Sequence, residues 1–490
     1  MAHMSPDVPP ATPAWRPLIH FTPRQHWIND PNGLVKVGEV YHLFFQHNPQ
    51  GSEHANMSWG HATSRDLLRW QEHDVALPGR EAHAIFSGSA VVDTHNTSGL
   101  GQRGDASPPV VALYTGAGHY WQAQYLAYSR DAGETWHFGP DQPVLDEGRA
   151  DFRDPKVFWH APSGRWVKVV VYPDERQIAL YGSPDLHVWT PLSVFGPAGE
   201  TGGIWEVPDL FPLTDEAGQE HWVMKVDVFA GGPQGGTGAQ YFVGDFDGTV
   251  FTPRAPARWA DHGKDFYAAI TWSGTPGRCL WTAWQSSWDY ATRLPTHPWR
   301  GALTLARELR LRRGPDGGQW LTQAPLRELE NLRDQHRPLH LTPEAPAVAL
   351  PLVPERALDL RLDLRAGTQL TLRLESEAGD ELTLRADLGR SILTLERPAR
   401  GRLADVAGFS GTHAAPLPPV QGGGLDLRVI LDTSSIEVFA GGGLLALSDL
   451  YFPEAPPQRL YLSVDGGKIT GEGWTLLGTG PAQVISFRDR

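Results

Sequence analysis

A single cysteine, Cys279, is the only thiol in this chain of 490 residues. That excludes an intramolecular disulfide and any cysteine-based metal site. No apolar run is long enough to span a bilayer. Positive charge is in deficit, with 42 Lys and Arg against 56 Asp and Glu and a net charge of −14. This argues against a nucleic-acid partner or an anionic membrane surface. Long helical patterns are scarce. His20, His26 and His47 carry no metal-ligand spacing and read as hydrogen-bonding core or rim groups. The glycine-rich run 231–238 lacks the lysine and the following helix of a phosphate loop, and reads as a mobile loop at the rim of the funnel expected below. No metal and no cofactor is therefore expected.

What the chain does have is turns and aromatics: 53 Gly, 42 Pro and 19 Trp, spread along its length. The length exceeds one ordinary core and implies two domains. Up to about residue 311, short apolar runs such as Val110–Tyr114 and Trp166–Val171 alternate with turn signals, as in a sandwich, barrel or propeller. A repeated Ser-x-Asp turn that runs on to a Trp helps to choose. It occurs at Ser64 to Trp70, Ser129 to Trp136 and Ser183 to Trp189. A repeat of roughly 55–65 residues fits four-stranded propeller blades, about five of them here. Past residue 347 the texture changes to strict alternation, as in Leu358-Asp359-Leu360-Arg361-Leu362, which marks sheets with one buried face. The expected architecture is all-β, a five-bladed β-propeller followed by a C-terminal β-sandwich. Its divisions are a tag-like, flexible segment 1–14, a propeller 15–333, a polar linker 334–346 and a sandwich 347–490. The tag-like Met1-Ala2-His3-Met4 leaves the compartment open, and the sequence leaves the oligomeric state open.

Three acidic segments stand apart from surface charge. Asp30 and Asp154 each precede a proline next to a strand-like run, where the chain is stiff and the side chain has one direction. Glu206 lies between Trp205 and Val207, an apolar setting that disfavours the charged form and suits a general acid. Each alone is equally an ordinary turn acid. Together they suggest glycoside hydrolysis, in which one carboxylate attacks and another protonates the leaving oxygen.

The segments Trp27–Gly33, Phe152–Lys156 and Trp205–Phe211 resemble the three signatures of glycoside hydrolase family 32, the β-fructofuranosidases, most closely the exo-acting levanases and inulinases. Met57–Ala62, Phe86–Ser89, Asp265–Ala268, Pro295–Gly301 and Ser434–Phe439 extend the resemblance over nearly the whole chain. It implies Asp30 as nucleophile, Glu206 as acid/base and Asp154 as transition-state stabiliser. Asn29, Gln46, Phe86, Ser87 and Arg153 are implied substrate contacts. It implies a retaining exo-hydrolase acting on terminal fructofuranosides of levan, inulin or sucrose; a polymeric substrate would favour secretion. A fructosyltransferase using the same acids and a silent fructan-binding propeller are the alternatives. Retention implies carboxyls of Asp30 and Glu206 roughly 5–5.5 Å apart. Two departures stand out. Val207 replaces the usual Cys after the acid/base, and His54 replaces a Trp that walls the fructose pocket. His54 is expected either to touch sugar itself or to leave the wall to another aromatic such as Trp299.

Overall fold

A computed structural model describes residues 15–480 and 483–484, apart from 354, 401–402, 420–422 and 454. The tag-like segment 1–14 lies outside the described residues. The described residues form seven antiparallel-based sheets. Five are the blades of a propeller and two face each other in a C-terminal β-sandwich.

The blades begin with the inner strands His26–Val37, Ala84–Val92, Arg153–His160, Trp205–Thr214 and Tyr267–Thr271, here blades I to V. Each blade has neighbours on both faces, so its strands are buried throughout rather than alternately. The second strand of blade III, Arg165–Tyr172, is buried from Trp166 to its end. Apolar clusters fill the gaps between successive blades. Val167, Val169 and Leu180 of blade III meet Leu210, Trp222 and Met224 of blade IV, for example. The ring closes where Trp27 and Ile28 of blade I pack with Tyr267, Ile270 and Trp284 of blade V. Closure is also hydrogen-bonded, because Trp299–Arg300 pairs in parallel with His26–Trp27 on the inner edge of blade I.

The Ser-x-Asp repeat marks one structural position. In blades I to III it turns the third strand into the fourth, with Ser64, Ser129 and Ser183 each donating to the Asp two residues on, at 3.1, 2.7 and 3.2 Å.

The sandwich pairs a sheet containing Arg356–Leu364 with one containing Gln369–Ser376. Here one face only is buried, which is the alternation seen in the sequence. The expected linker is not one. Arg333–Leu341 is an edge strand of the first sheet, paired with Ile469–Leu477. Its Pro338 is tolerated because an edge strand need not donate along its whole length.

A buried polar network joins the domains. Arg307 of blade V is fully buried and donates to Glu437 of the sandwich at 2.6 and 3.0 Å and to Asp261 at 2.9 Å. His20 bonds Asp432 at 2.7 Å and Glu437 at 2.8 Å. Burial pushes the His20 imidazole down, but its two carboxylate partners overcome this and hold it at about 9.

Candidate active site

All five inner strands break register at the same depth. The slips fall between Ile28 and Pro31, Ile85 and Gly88, Arg153 and Lys156, Glu206 and Asp209, and Tyr267 and Ile270. A bulge inserts an unpaired residue and re-aims the side chains beside it. Five bulges at one level therefore turn side chains from five blades towards the propeller axis. In three of them a proline follows at once, Pro31, Pro155 and Pro208, where a missing N–H costs the ladder nothing. Asp154, Val207 and Ala268 take left-handed φ angles of 64°, 46° and 56°. Strain of this kind costs about 1–3 kcal/mol per residue and persists where the surroundings over-determine it. Val207 is β-branched, which makes it the most costly of the three. In blade II, Gly88 is required by crowding, since a Cβ there would stand 2.1 Å from the Leu113 carbonyl oxygen.

The bulges bring Asp30, Asp154 and Glu206 together. Asp30 accepts from Ser87 Oγ at 2.6 Å through Oδ2 and from Asn29 Nδ2 at 3.0 Å through Oδ1. Asn29 is fixed in turn by Trp27 Nε1, which donates to its Oδ1 at 2.7 Å. Asp154 accepts from the Val207 backbone N–H at 2.9 Å, and its own N–H donates to Thr115 Oγ1 at 3.0 Å. The setting of Glu206 is not the apolar one its sequence neighbours suggest. Its carboxylate, about 17% exposed, accepts from Arg153 at 3.1 Å and from the Tyr267 hydroxyl at 2.6 Å. Trp205 and Val207 point into interblade clusters instead, because alternate residues of a strand face opposite ways.

Burial and crowding of like charge govern the electrostatics. Burial pushes Asp30 up to about 6, helped by the nearby Glu206 and restrained by the Ser87 and Asn29 hydrogen bonds. Burial likewise raises Asp154 to about 7, with Arg153 pulling it down and Glu206 and Asp30 pushing it up. A void of about 10 Å³, lined in part by Pro31, Ser87, Asp154 and Val207, lies beneath the acids. It has room for one water at most.

The other expected contacts divide. Ser87 and Arg153 bond the acids directly. Gln46 donates to the Ile85 carbonyl at 3.1 Å and so braces the bulge that carries Phe86 and Ser87. His54 is exposed, its ring edge-on to Trp288 at 5.3 Å, Trp27 at 6.0 Å and Phe86 at 6.2 Å. It thus stands in an aromatic wall with Phe86. Trp299 does not. Its indole is 1% exposed and lies under the Arg16 guanidinium at 3.8 Å, where pairing with His26 places it. The aromatic that stands there is Trp288, four residues after Trp284 and without a distinguishing signal in the sequence. It is near-parallel to Trp27 at 6.0 Å and to the exposed Phe229 at 6.4 Å. Tyr267, in the segment Asp265–Ala268, is a further donor to Glu206 that the sequence alone does not single out. The glycine-rich run is tied at both sides, since Gln234 donates to the His262 carbonyl at 2.8 Å and to the Ala414 carbonyl of the sandwich at 2.9 Å.

Comparison with known proteins follows the same lines. The profile described as "Glycosyl hydrolases family 32 N-terminal domain" matches residues 20–325, and "Glycosyl hydrolases family 32 C terminal" matches 328–476. The chain is 39% identical to the levanase of Bacillus subtilis (strain 168) over 479 residues, covering 94% of this chain and 70% of that one. It is 35% identical to the extracellular exo-inulinase of Aspergillus niger over 511 residues, covering 92% of each. Among solved structures, an exo-inulinase from Aspergillus awamori superposes with a TM-score of 0.89 at 33% identity, covering 95% of this chain and 99% of that one. A β-fructofuranosidase from Schwanniomyces occidentalis complexed with fructosyl-erythritol gives 0.87 at 32%, covering 94% and 98%.

Proposed function

The chain belongs to glycosyl hydrolase family 32, and on that footing we propose that it is an exo-acting β-fructofuranosidase that releases fructose from the ends of levan, inulin, fructo-oligosaccharides or sucrose with retention of configuration. The observation that carries the reading is the convergence of Asp30, Asp154 and Glu206 on inner-strand bulges, each with its own set of donors.

Asp30 is the nucleophile. Ser87 and Asn29 hold its carboxylate from two sides and fix the direction of attack on C2 of the terminal fructose. Glu206 gives its proton to the glycosidic oxygen as the C2–O bond breaks. Arg153 and the Tyr267 hydroxyl are already placed to donate to the carboxylate that this leaves. The product of the first step is a fructosyl ester on Asp30 and a free leaving alcohol. In the second step Glu206 takes a proton from water, whose oxygen attacks C2. The ester bond breaks, and Asp30 is returned as a carboxylate with the original configuration restored. Asp154, tied to the Val207 N–H, is left to accept from fructose hydroxyls and to oppose the positive charge that develops on the ring. His54, Phe86 and Trp288 wall the pocket that the terminal sugar enters.

The test is product analysis with levan, inulin and sucrose in parallel, following the anomer first formed by NMR. Free fructose released one unit at a time as the β-anomer is expected. Initial release of the α-anomer would refute retention. Activity of Asp30→Ala or Glu206→Ala near that of the parent would remove that residue from the mechanism.

A further inference from the structure

Two charged residues beneath the site take no part in the chemistry above. Lys225 and Asp227 lie on the second strand of blade IV, Glu220–Val228, and both are fully buried. Two residues apart on a strand, they share one face. They flank the blade IV bulge: Asp227 pairs with Glu206 and Lys225 with Asp209, and the register slips between these two pairs, across Val207 and Pro208. Lys225 Nζ donates to the Val207 carbonyl at 3.0 Å and to Oδ2 of Asp227. Oδ1 of Asp227 has no hydrogen-bond partner. Around the pair stand Asp30 of blade I, Lys156 of blade III, Glu206 and Asp209 of blade IV and Tyr267 of blade V.

An ion pair this deep is a poor filler, because apolar residues of similar volume often stabilise as well or better. Its geometry points to another use. Val207 is held at a left-handed φ of 46°, and its N–H is the donor to Asp154 at 2.9 Å. Its carbonyl is the group that Lys225 grips. The strained residue is thus tied at both its N–H and its carbonyl, and Glu206 is the residue before it.

We infer that Lys225 and Asp227 are a positioning pair: Asp227 anchors the ammonium, and the ammonium fastens the Val207 carbonyl, so that the bulge keeps Glu206 aimed at the bond to be cleaved and the Val207 N–H on Asp154. The inference rests on the roles given above to Glu206 and Asp154. It does not require either residue of the pair to touch substrate.

The test compares three proteins for fructose release from sucrose, each assayed well below its own melting temperature. The double variant Lys225→Met with Asp227→Val removes both charges and leaves none unpaired. Its kcat is expected to fall about 10- to 100-fold with KM within about threefold, because aim and not sugar contact is lost. Asp227→Asn keeps an oxygen for the ammonium to anchor on and should keep kcat within about fivefold, and this variant decides the matter if the double variant does not fold. A folded double variant with parental kcat overturns the inference. So does an Asp227→Asn variant that folds and loses a thousandfold, since Asp227 would then be acting itself. The parent protein is the third arm. If it releases no fructose, the functional reading has failed and not the positioning role alone.

Discussion

Removing one hydroxyl should move the acid limb of activity by more than a pH unit. Ser87 Oγ donates to Asp30 at 2.6 Å inside a buried site. Only the ionised carboxylate gains fully from that bond, so the bond opposes the rise that burial causes and helps to hold Asp30 at about 6. A hydrogen bond to a charged group is worth about 1.5–3 kcal/mol, and one pKa unit corresponds to about 1.4 kcal/mol. Ser87→Ala should therefore carry Asp30 upward by about 1–2 units. At pH 5.5 the fraction of ionised nucleophile would drop about tenfold or more, while well above neutrality it would be nearly complete in both proteins. Asp154 titrates in the same cluster, so the limb of kcat/KM belongs to the group of acids. The change in it is still assigned to Asp30, because Ser87 bonds Asp30. The assay is the pH profile of kcat/KM for sucrose between pH 4 and 9, for the parent, Ser87→Ala and Ser87→Thr, the last of which restores the donor. An unmoved acid limb, with activity lowered equally at every pH, would refute the reasoning and leave Ser87 as a substrate contact only.

Three further outcomes are expected. Trp288→Ala should raise KM about tenfold, corresponding to about 1.4 kcal/mol of lost stacking, with little change in kcat; Trp299→Phe should leave KM alone and lower the melting temperature, and the reverse pattern would return Trp299 to the pocket. His54→Trp should change KM or the preference among levan, inulin and sucrose, and identical kinetics on all three would take His54 out of the wall. The domain clamp should show in stability: His20 is raised above its unfolded value, so its contribution is complete below about pH 6.5 and is lost as pH climbs through about 9, worth up to about 3 kcal/mol. Urea unfolding at pH 6 and 9 should show this loss in the parent and not in His20→Gln.

Much of the fold could be read from the sequence because its causes are local. Doubly covered blades need continuous apolar strands, and a half-covered sandwich needs alternation, so the change of texture past residue 347 is a change in how many faces are buried. The acids were legible for a related reason. Asp30-Pro31 and Asp154-Pro155 put a residue without an N–H into a strand, which a bulge or a free edge accepts. What could not be read depends on distant partners. Trp288 and Trp299 are equivalent as residues, and which one faces the funnel is decided by the parallel pairing of Trp299 with His26. His20 meets Asp432 and Glu437 across 412 and 417 residues of chain. The strand Arg333–Leu341 looks like a linker because its one proline and its polar edge residues are those of an edge strand.

The distribution of donors argues for which acid does what. Three carboxylates in one funnel repel, and burial penalises each charge. A symmetric set of donors would leave three similar acids. Here the sets differ. Asp30 has two neutral side-chain donors that fix it from both sides and leave it modestly raised, at about 6. Glu206 has a guanidinium and a phenol, the donors best able to accept the charge that appears when it gives up a proton. Asp154 has a single backbone N–H on one oxygen, which leaves the other for fructose hydroxyls. Arg153 is the member common to two sets, because it bonds Glu206 and also draws Asp154 down. Its loss should therefore disturb acid catalysis and transition-state charge together, whereas the loss of Ser87 disturbs the nucleophile alone. A bulge repeated on every blade makes such unequal sets possible, since each blade supplies its own neighbours at the same depth of the funnel.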